Sequence, residues 1–215
     1  MTTPSRSGPV LSTEPRQHRD RGFLAAKQAR AAEPHVAPVN ALAREIADST
    51  GALVPLADPD GAGAEARLLL LLETPSRAGG YRTGLISVDN DDTAAANLWR
   101  ALAATGIDRR RVLLWNAVPW YVGSADKIRS PNPAEVRAGR AWLVRLVERL
   151  PELTVLASLG RAAATAVEPL RGELEARELV LLEAPHPSQR VYNRPEAQAE
   201  ERVHAMLRTA ARLIR

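Results

Sequence analysis

The chain has 215 residues, of which 45% are hydrophobic and 25% are charged, values typical of a globular domain of ordinary size. It contains no cysteine, which excludes disulfides, thiolate nucleophiles and cysteine-bound zinc or iron–sulfur clusters. No apolar run approaches the roughly 20 residues of a membrane helix, and the N-terminus lacks the apolar core of a signal peptide. We therefore expect a soluble cytoplasmic protein that has no membrane partner.

The formal net charge is +4, and the basic residues are almost all arginine, since Lys27 and Lys127 are the only lysines. Codon bias in a GC-rich genome is one explanation of this arginine content. A polyanionic partner is the other, because the guanidinium group binds phosphate through two parallel hydrogen bonds. Net charge alone does not decide between them.

Residues 1–35 carry four prolines together with Ser, Thr and scattered charge, and they lack a sustained apolar period. This composition predicts a mobile, basic, proline-rich tail, although residues 23–32 have the pattern of a short helix. The arginines of this tail either contact nucleic acid or are simply solvated. Residues 36–215 are expected to form a single domain.

Four short apolar runs are bounded by residues that break regular structure: 68–72, 112–118, 154–159 and 179–184. Runs that are apolar throughout are typical of strands buried on both faces of a parallel sheet. Amphipathic helical patterns lie between them, and one begins at Asn132-Pro133-Ala134-Glu135, which is the pattern of a capping box. The alternation predicts an α/β fold, a three-layer α/β/α sandwich with a mainly parallel central sheet of about four strands.

Polar side chains occur at the points where three of the predicted strands end. Glu73 follows the first run, Asn116 lies in the second, and His186 stands between two prolines after the fourth. Because ligands bind beyond the carboxyl ends of parallel strands, we expect these residues to meet in one cleft formed by adjacent strand ends. Taken singly, Glu73 also fits a helix cap, Asn116 a structural amide and His186 a hydrogen-bonded loop residue.

Four segments, in this order, resemble the uracil-DNA glycosylase superfamily over about residues 65–195. Leu72-Glu73-Thr74-Pro75-Ser76 sits where the bacterial branches carry Gly-Glu-Ala-Pro-Gly. Residues 115–120 (Trp-Asn-Ala-Val-Pro-Trp) resemble the strand that ends in a base-reading asparagine, and residues 159–163 (Leu-Gly-Arg-Ala-Ala) match a Leu-Gly-x-Ala-Ala turn. The strongest element, His186-Pro187-Ser188, resembles the superfamily's His-Pro-Ser loop.

Several positions depart from the family pattern. Ser76 replaces a glycine that lets the backbone approach the ligand, and Thr74 stands where other branches place a water-activating Asn or Asp. Leu85 falls where an aromatic side chain normally stacks on the extruded base, so Tyr81 and Tyr121 are candidate substitutes. The four-cysteine iron–sulfur site of the thermostable branches has no counterpart, so the resemblance implies a divergent member without a cofactor or a metal.

The resemblance implies hydrolysis of the N-glycosidic bond of a deaminated base, with uracil as the first expectation, after the nucleotide is flipped out of DNA. His186 is then the donor to the anion that develops on the base. Asn116 reads the base edge, since its amide complements both O4 and N3–H of uracil. Glu73 holds the attacking water or stabilises the cationic sugar.

DNA contacts are expected from the loops that follow the second and fourth strands. The candidate residues are Ser124, Lys127, Arg129, Ser188, Gln189 and Arg190. The first three suit phosphate contacts, and the last three follow the histidine, where the family inserts a wedge into the vacated base stack. Arg190 occupies the wedge position or is a solvated loop arginine. The Asn90-Asp91-Asp92 cluster is either a helix cap, which we favour, or part of the cleft.

Three functions remain open at this point. The first is a monofunctional DNA glycosylase of base excision repair, located in the cytoplasm at the nucleoid. The second is a DNA-binding protein that kept the fold and lost the activity, which the departures at Leu85 and Ser76 favour. The third is a hydrolase of free nucleosides or another small glycoside. A monomer is expected for the glycosylase, because its DNA cleft must stay open.

Overall fold

The computed structural model describes residues 11–124, 129–194 and 198–214. The strands in these ranges are β1 Leu56–Ala57, β2 Leu68–Leu72, β3 Leu85–Ile86, β4 Val112–Asn116, β5 Val155–Leu159 and β6 Val180–Ala184. The four longer strands lie within the four apolar runs, so those strand predictions are confirmed. The two short strands, β1 and β3, pair with each other in parallel.

The helices of the same ranges alternate with these strands. They are α1 Arg21–Ala29, α2 Ala37–Thr50, α3 Thr93–Thr105, α4 Pro133–Val147, α5 Arg161–Val167, α6 Arg171–Ala176, α7 Gln189–Tyr192 and α8 Ala199–Leu213. A π-helical turn, Ala78–Thr83, precedes β3. In the described part of the chain, no helix combines the length and the apolarity needed to cross a membrane.

The four longer strands form one sheet in the order β4-β2-β5-β6, and every neighbouring pair is parallel. The register sets Leu72 beside Asn116 across β2 and β4, and Leu159 beside Ala184 across β5 and β6. All four strands therefore end at the same edge of the sheet. The prediction of a mainly parallel sheet of about four strands is confirmed.

Strand β2 shows how the sequence specifies the layers. Leu68 and Leu70 pack with α3 and α8, whereas Leu69 and Leu71 pack with α2, α4 and α5 on the other side. All four side chains are fully buried. Because alternate residues of a strand point to opposite faces, a strand covered on both sides needs an unbroken apolar run. The three-layer α/β/α arrangement is confirmed.

Helix α4 begins at the predicted capping box and lies directly against the chain that leaves β4. Asn132 Oδ1 accepts hydrogen bonds from the backbone N–H groups of Ala134 and Glu135 at 2.9 and 3.0 Å. The Glu135 carboxylate in turn accepts from the Asn132 N–H at 2.8 Å. A Cβ atom on Gly139 would lie 2.0 Å from the carbonyl oxygen of Ala117, so the close approach of this helix requires glycine there.

The N-terminal segment, residues 11–35, differs from the expectation of a mobile tail. Helix α1 begins after Asp20, whose side chain accepts from the N–H groups of Gly22 and Phe23. His18 and Lys27 are only 6% and 2% exposed. The composition of this segment is misleading because its contacts are made to residues distant in sequence. The part of the expectation that concerns residues 1–10 lies outside the described residues.

Lys27 occupies the centre of a buried ionic cluster. Its Nζ lies 2.8 Å from Asp58 and 2.9 Å from Asp60, and it also contacts Asp89. Arg109 lies 2.9 Å from both Asp58 and Asp89. Burial alone would raise the pKa of Asp58, but Lys27 and Arg109 outweigh it and hold that pKa below its usual range. Ionised partners thus join α1 to the chain segments that follow β1 and β3.

We predict that Lys27→Met lowers the free energy of unfolding by about 3–5 kcal/mol, because it leaves buried carboxylates without their partner. Arg208→Met is the matched control, since Arg208 pairs with Glu201 on the surface at 2.5 Å, and it should cost less than about 1 kcal/mol. Urea denaturation measures both variants. Equal and small losses in the two would show that the buried cluster does not stabilise the fold.

Candidate functional site

A cavity of about 510 Å³, measured together with its open mouth, lies at the edge where the strands of the sheet end. Its position is the one at which parallel sheets bind ligands. Apolar side chains form much of the wall. The polar side chains that line it are Thr74, Ser76, Ser87, Asn90, Asp92, Asn116 and His186.

Asn116 is the last residue of β4, and its side chain lines the cavity although the residue is only 3% exposed. Its amide makes no hydrogen bond to another side chain or backbone group in the described ranges. The amide atoms are not among the fully buried polar atoms without a partner, so they are open to the cavity. The Asn116 side chain therefore presents a donor and an acceptor side by side to whatever enters the cavity.

His186 reaches the same cavity from the loop that follows β6. The expectation that the three site residues follow adjacent strands is wrong for His186, because β5 lies between β2 and β6. The loop crosses the end of β5 at Gly160, which has φ +94° and where a Cβ would lie 2.9 Å from His186 Cβ. Asn97 of α3 holds the loop from the other side by donating to the carbonyl of Pro187 at 2.9 Å.

Burial lowers the pKa of His186 below its ordinary value of 6.5. The negative charges of Glu73 and Asp92 act in the opposite direction, and the positive charge of Arg190 adds to the lowering. Burial prevails, so the imidazole is neutral at neutral pH. A neutral imidazole carries one N–H donor and one acceptor nitrogen.

Asp92, rather than Glu73, is the carboxylate that lines the cavity. Asp92 Oδ1 caps helix α3 by accepting from the N–H of Ala95 at 2.8 Å, and Oδ2 accepts from the Ser76 hydroxyl at 2.8 Å. Asp92 is thus both the cap of a helix and a residue of the cavity wall, so the two interpretations of the Asn90-Asp91-Asp92 cluster are compatible. Glu73 directly follows β2 and is half-buried, outside the residues that form the wall.

The turn after β2 is built from side-chain hydrogen bonds. Besides donating to Asp92, the Ser76 hydroxyl accepts from the N–H of Gly79 at 3.1 Å. The Thr74 hydroxyl donates to the carbonyl of Trp120 at 3.1 Å, which ties this turn to the chain beyond β4. The serine that replaces the family's glycine therefore links two walls of the cavity.

The three residues considered for base stacking lie outside the cavity wall. Leu85 is 1% exposed within β3, and the next residue, Ile86, lines the cavity instead. Tyr81 is 51% exposed, and its ring lies 6.2 Å from the ring of Tyr121. The Tyr121 hydroxyl donates to the carbonyl of Ser124 at 3.0 Å. No Phe, Tyr or Trp side chain lines the cavity in the described ranges.

The expected DNA-binding residues are on the surface or outside the described residues. Ser124 is exposed, Lys127 lies outside the described residues, and Arg129 is exposed but paired with Glu135 at 2.6 Å. Ser188 precedes α7 and is half-buried, and Gln189 and Arg190 are exposed in its first turn. The sequence indicated the loop after β6, which lies beside the cavity. It did not indicate that Arg129, in the other loop, is already paired with a carboxylate.

Ser87 lines the cavity although the sequence did not indicate it, whereas Asp92 was open as a helix cap or a cleft residue. The topology of the sheet could have placed Asp92 at the cavity. A helix that connects two parallel strands begins at the edge where the strands end, so the residue that caps it faces the cleft. Ser87 has no such topological indication, since β3 has two residues only. Among the residues that the structure describes, no group of three His, Asp or Glu side chains is arranged to hold a metal ion.

Comparisons with known proteins identify the family of the chain and a protein of similar fold. The family model of the uracil DNA glycosylase superfamily matches residues 59–208, well over half of the chain. No curated protein matches the sequence. Among solved structures, wild-type SMUG2 of Pedobacter heparinus is similar in fold, with 13% sequence identity and a TM-score of 0.51 over 69% of this chain and 75% of that one. The chain belongs to the uracil-DNA glycosylase superfamily.

Proposed function

We propose that the protein is a monofunctional DNA glycosylase that hydrolyses the N-glycosidic bond of a flipped-out deaminated base, with uracil as its first substrate. Members of the superfamily are hydrolytic glycosylases that act on DNA. The observation that carries the specific proposal is the unpartnered amide of Asn116 in the cavity. Its N–H₂ group suits uracil O4 and its carbonyl suits N3–H, so one side chain reads both groups.

His186 supports the chemical step in this proposal. Cleavage of the bond leaves negative charge on the departing base, and a preorganised N–H donor in a site of low polarity stabilises such charge well. The neutral state that burial favours supplies one donor without a positive charge on the ring. The loop that carries His186 packs against Gly160 and is hydrogen-bonded by Asn97, and these contacts keep the ring at the cavity.

Asp92 is the stronger candidate for positioning the attacking water or stabilising the cationic sugar, because its carboxylate lines the cavity. Its two hydrogen bonds, from Ser76 and the N–H of Ala95, fix its orientation. Glu73 keeps a supporting role as a nearby negative charge that acts on His186. Neither role requires a metal.

Access to the base requires extrusion of the nucleotide from DNA. The exposed first turn of α7 follows His186 directly, so Arg190 is our candidate for the wedge that fills the vacated stack, with Ser188 and Gln189 beside it on the phosphates. Ser124, Lys127 and Arg129 remain candidates for phosphate contacts on the other loop. In this proposal the protein acts as a monomer.

One observation favours the alternative of a DNA-binding protein without activity. The cavity wall in the described ranges has no aromatic side chain of the kind that stacks on an extruded base. Such stacking is worth about 1–3 kcal/mol per base elsewhere, so its loss weakens base binding. Release of uracil by the wild-type protein excludes this alternative. Release of uracil from oligonucleotides, but not from free nucleosides, excludes a hydrolase of free nucleosides.

We predict that His186→Ala lowers the single-turnover rate of uracil release about 10²- to 10³-fold, as the loss of other oxyanion donors does. Binding to an oligonucleotide with an abasic site should change little, because that product has no base. His204→Ala on α8 is the control, since His204 does not line the cavity. An undiminished rate in a folded His186→Ala protein would remove His186 from the mechanism.

We predict that Asn116→Asp changes the selectivity of the site. The carboxylate replaces the N–H₂ donor to O4 with an acceptor that matches the exocyclic amino group of cytosine. Uracil release should fall about 10- to 100-fold, while release of cytosine from unpaired positions rises above background. Single-turnover assays on both bases measure the change, with the exposed Asn193→Asp as control. Unaltered uracil release in Asn116→Asp would show that the base does not reach this side chain.

A further inference from the structure

The N-terminal segment, residues 11–35, lies outside the matched residues 59–208, yet many of its contacts are made to one cavity wall. We define the cavity loop as residues 83–93, which contribute Ile86, Ser87, Asn90 and Asp92 to the wall. Lys27 contacts Asp89 of this loop. Other contacts to the loop include Gln28 to the carbonyl of Thr83 at 2.8 Å, the backbone N–H of His18 to the carbonyl of Asp89 at 3.0 Å, Ser12 to Asp89 at 2.5 Å, Arg19 to Asp91 at 2.8 Å and Arg16 to Thr93 at 3.4 Å.

His18 acts on a cavity residue directly. Its Nδ1 lies 2.9 Å from Asn90 Oδ1, and that oxygen also accepts from the Thr83 hydroxyl at 2.9 Å. Asn90 Nδ2 donates to the carbonyl of Leu85 at 2.9 Å. The Asn90 amide is thereby held in one orientation, with its oxygen fixed from the N-terminal segment and its nitrogen fixed from β3.

The protonation of His18 follows from the same contacts. Because Asn90 Oδ1 is an acceptor, Nδ1 of His18 carries the proton. Burial lowers the pKa of the imidazole and outweighs the hydrogen bond that His18 donates to Asn90, so the ring is neutral. Its Nε2 is buried without a hydrogen-bond partner. An unsatisfied buried nitrogen is unfavourable for stability, so packing alone does not account for a histidine at this position.

We propose that His18 is a positioning residue of the base pocket, and that the N-terminal segment belongs to the substrate-binding machinery by holding the cavity loop. The role in base binding rests on the proposed function, since it requires that the cavity receives a base. The orientation of Asn90 and the order of the loop follow from the contacts themselves. Loss of the His18 hydrogen bond then loosens the wall without removing any group that touches the substrate.

His18→Phe tests this, because it keeps a ring of similar size and removes the donor. His18→Asn keeps an N–H group close to the place of Nδ1 and should restore wild-type behaviour. His35→Phe is the matched control, since His35 lies in the same segment but bonds to the carbonyl of Pro59, away from the cavity loop. His18→Leu replaces His18→Phe if the latter does not fold, as judged by thermal melts.

We expect His18→Phe to speed hydrogen exchange of the backbone amides of residues 85–92 and to raise the half-saturating enzyme concentration for uracil release about fivefold. His18→Asn and His35→Phe should stay within about twofold of wild type in both measurements. Hydrogen exchange does not depend on activity, so it decides the positioning role even if the wild-type protein releases no base. Exchange in His18→Phe equal to that in His35→Phe, or His18→Asn as impaired as His18→Phe, would overturn the proposal.

Discussion

The common direction of the four longer strands is the constraint on which the site depends. Because every pair in the sheet is parallel and the registers are aligned, all the strands end at one edge, and the chain must turn there each time. Asn116 ends one strand, the turn of Ser76 follows another, and the loop of His186 follows a third. Helix α3 leads back to β4, so it begins at the same edge and brings its cap, Asp92, into the cavity.

Close backbone approach makes this meeting of side chains possible. Gly160 lets the His186 loop cross the end of β5, and Gly139 lets α4 lie against the chain beyond β4. At both positions an added Cβ would come within 3 Å of its neighbour. The crossing at Gly160 lets His186 reach the cavity that Asn116 lines, although β2 and β5 lie between β4 and β6.

The buried cluster around Lys27 provides the second support of the cavity. It joins α1 to Asp58 after β1 and to Asp89 in the cavity loop, and Arg109 supplies a second positive charge to both carboxylates. Displacement of a single partner from such a cluster leaves an uncompensated buried charge, which is strongly unfavourable. The N-terminal segment is thereby tied to the wall that carries Asn90 and Asp92.

The sequence predicted the sheet and the edge of it at which the cavity lies, since both depend on local patterns. An unbroken apolar run such as Leu68–Leu72 identifies a strand buried on both faces, and the residues after it mark the edge. The strand order was not predictable, because nothing local to His186 records that β5 lies in between. The N-terminal segment was misjudged for a similar reason, since the partners of Lys27 lie 31 and 62 residues further along the chain.

The most direct test of the account is a crystal structure of the wild-type protein with an oligonucleotide that carries a 2′-fluorinated deoxyuridine, whose sugar resists cleavage. We expect the uracil to lie in the cavity, with the Asn116 amide on O4 and N3–H and His186 Nε2 or Nδ1 within hydrogen-bond distance of O2. A uracil that stays stacked in the DNA, or DNA bound on another face of the protein, would contradict it.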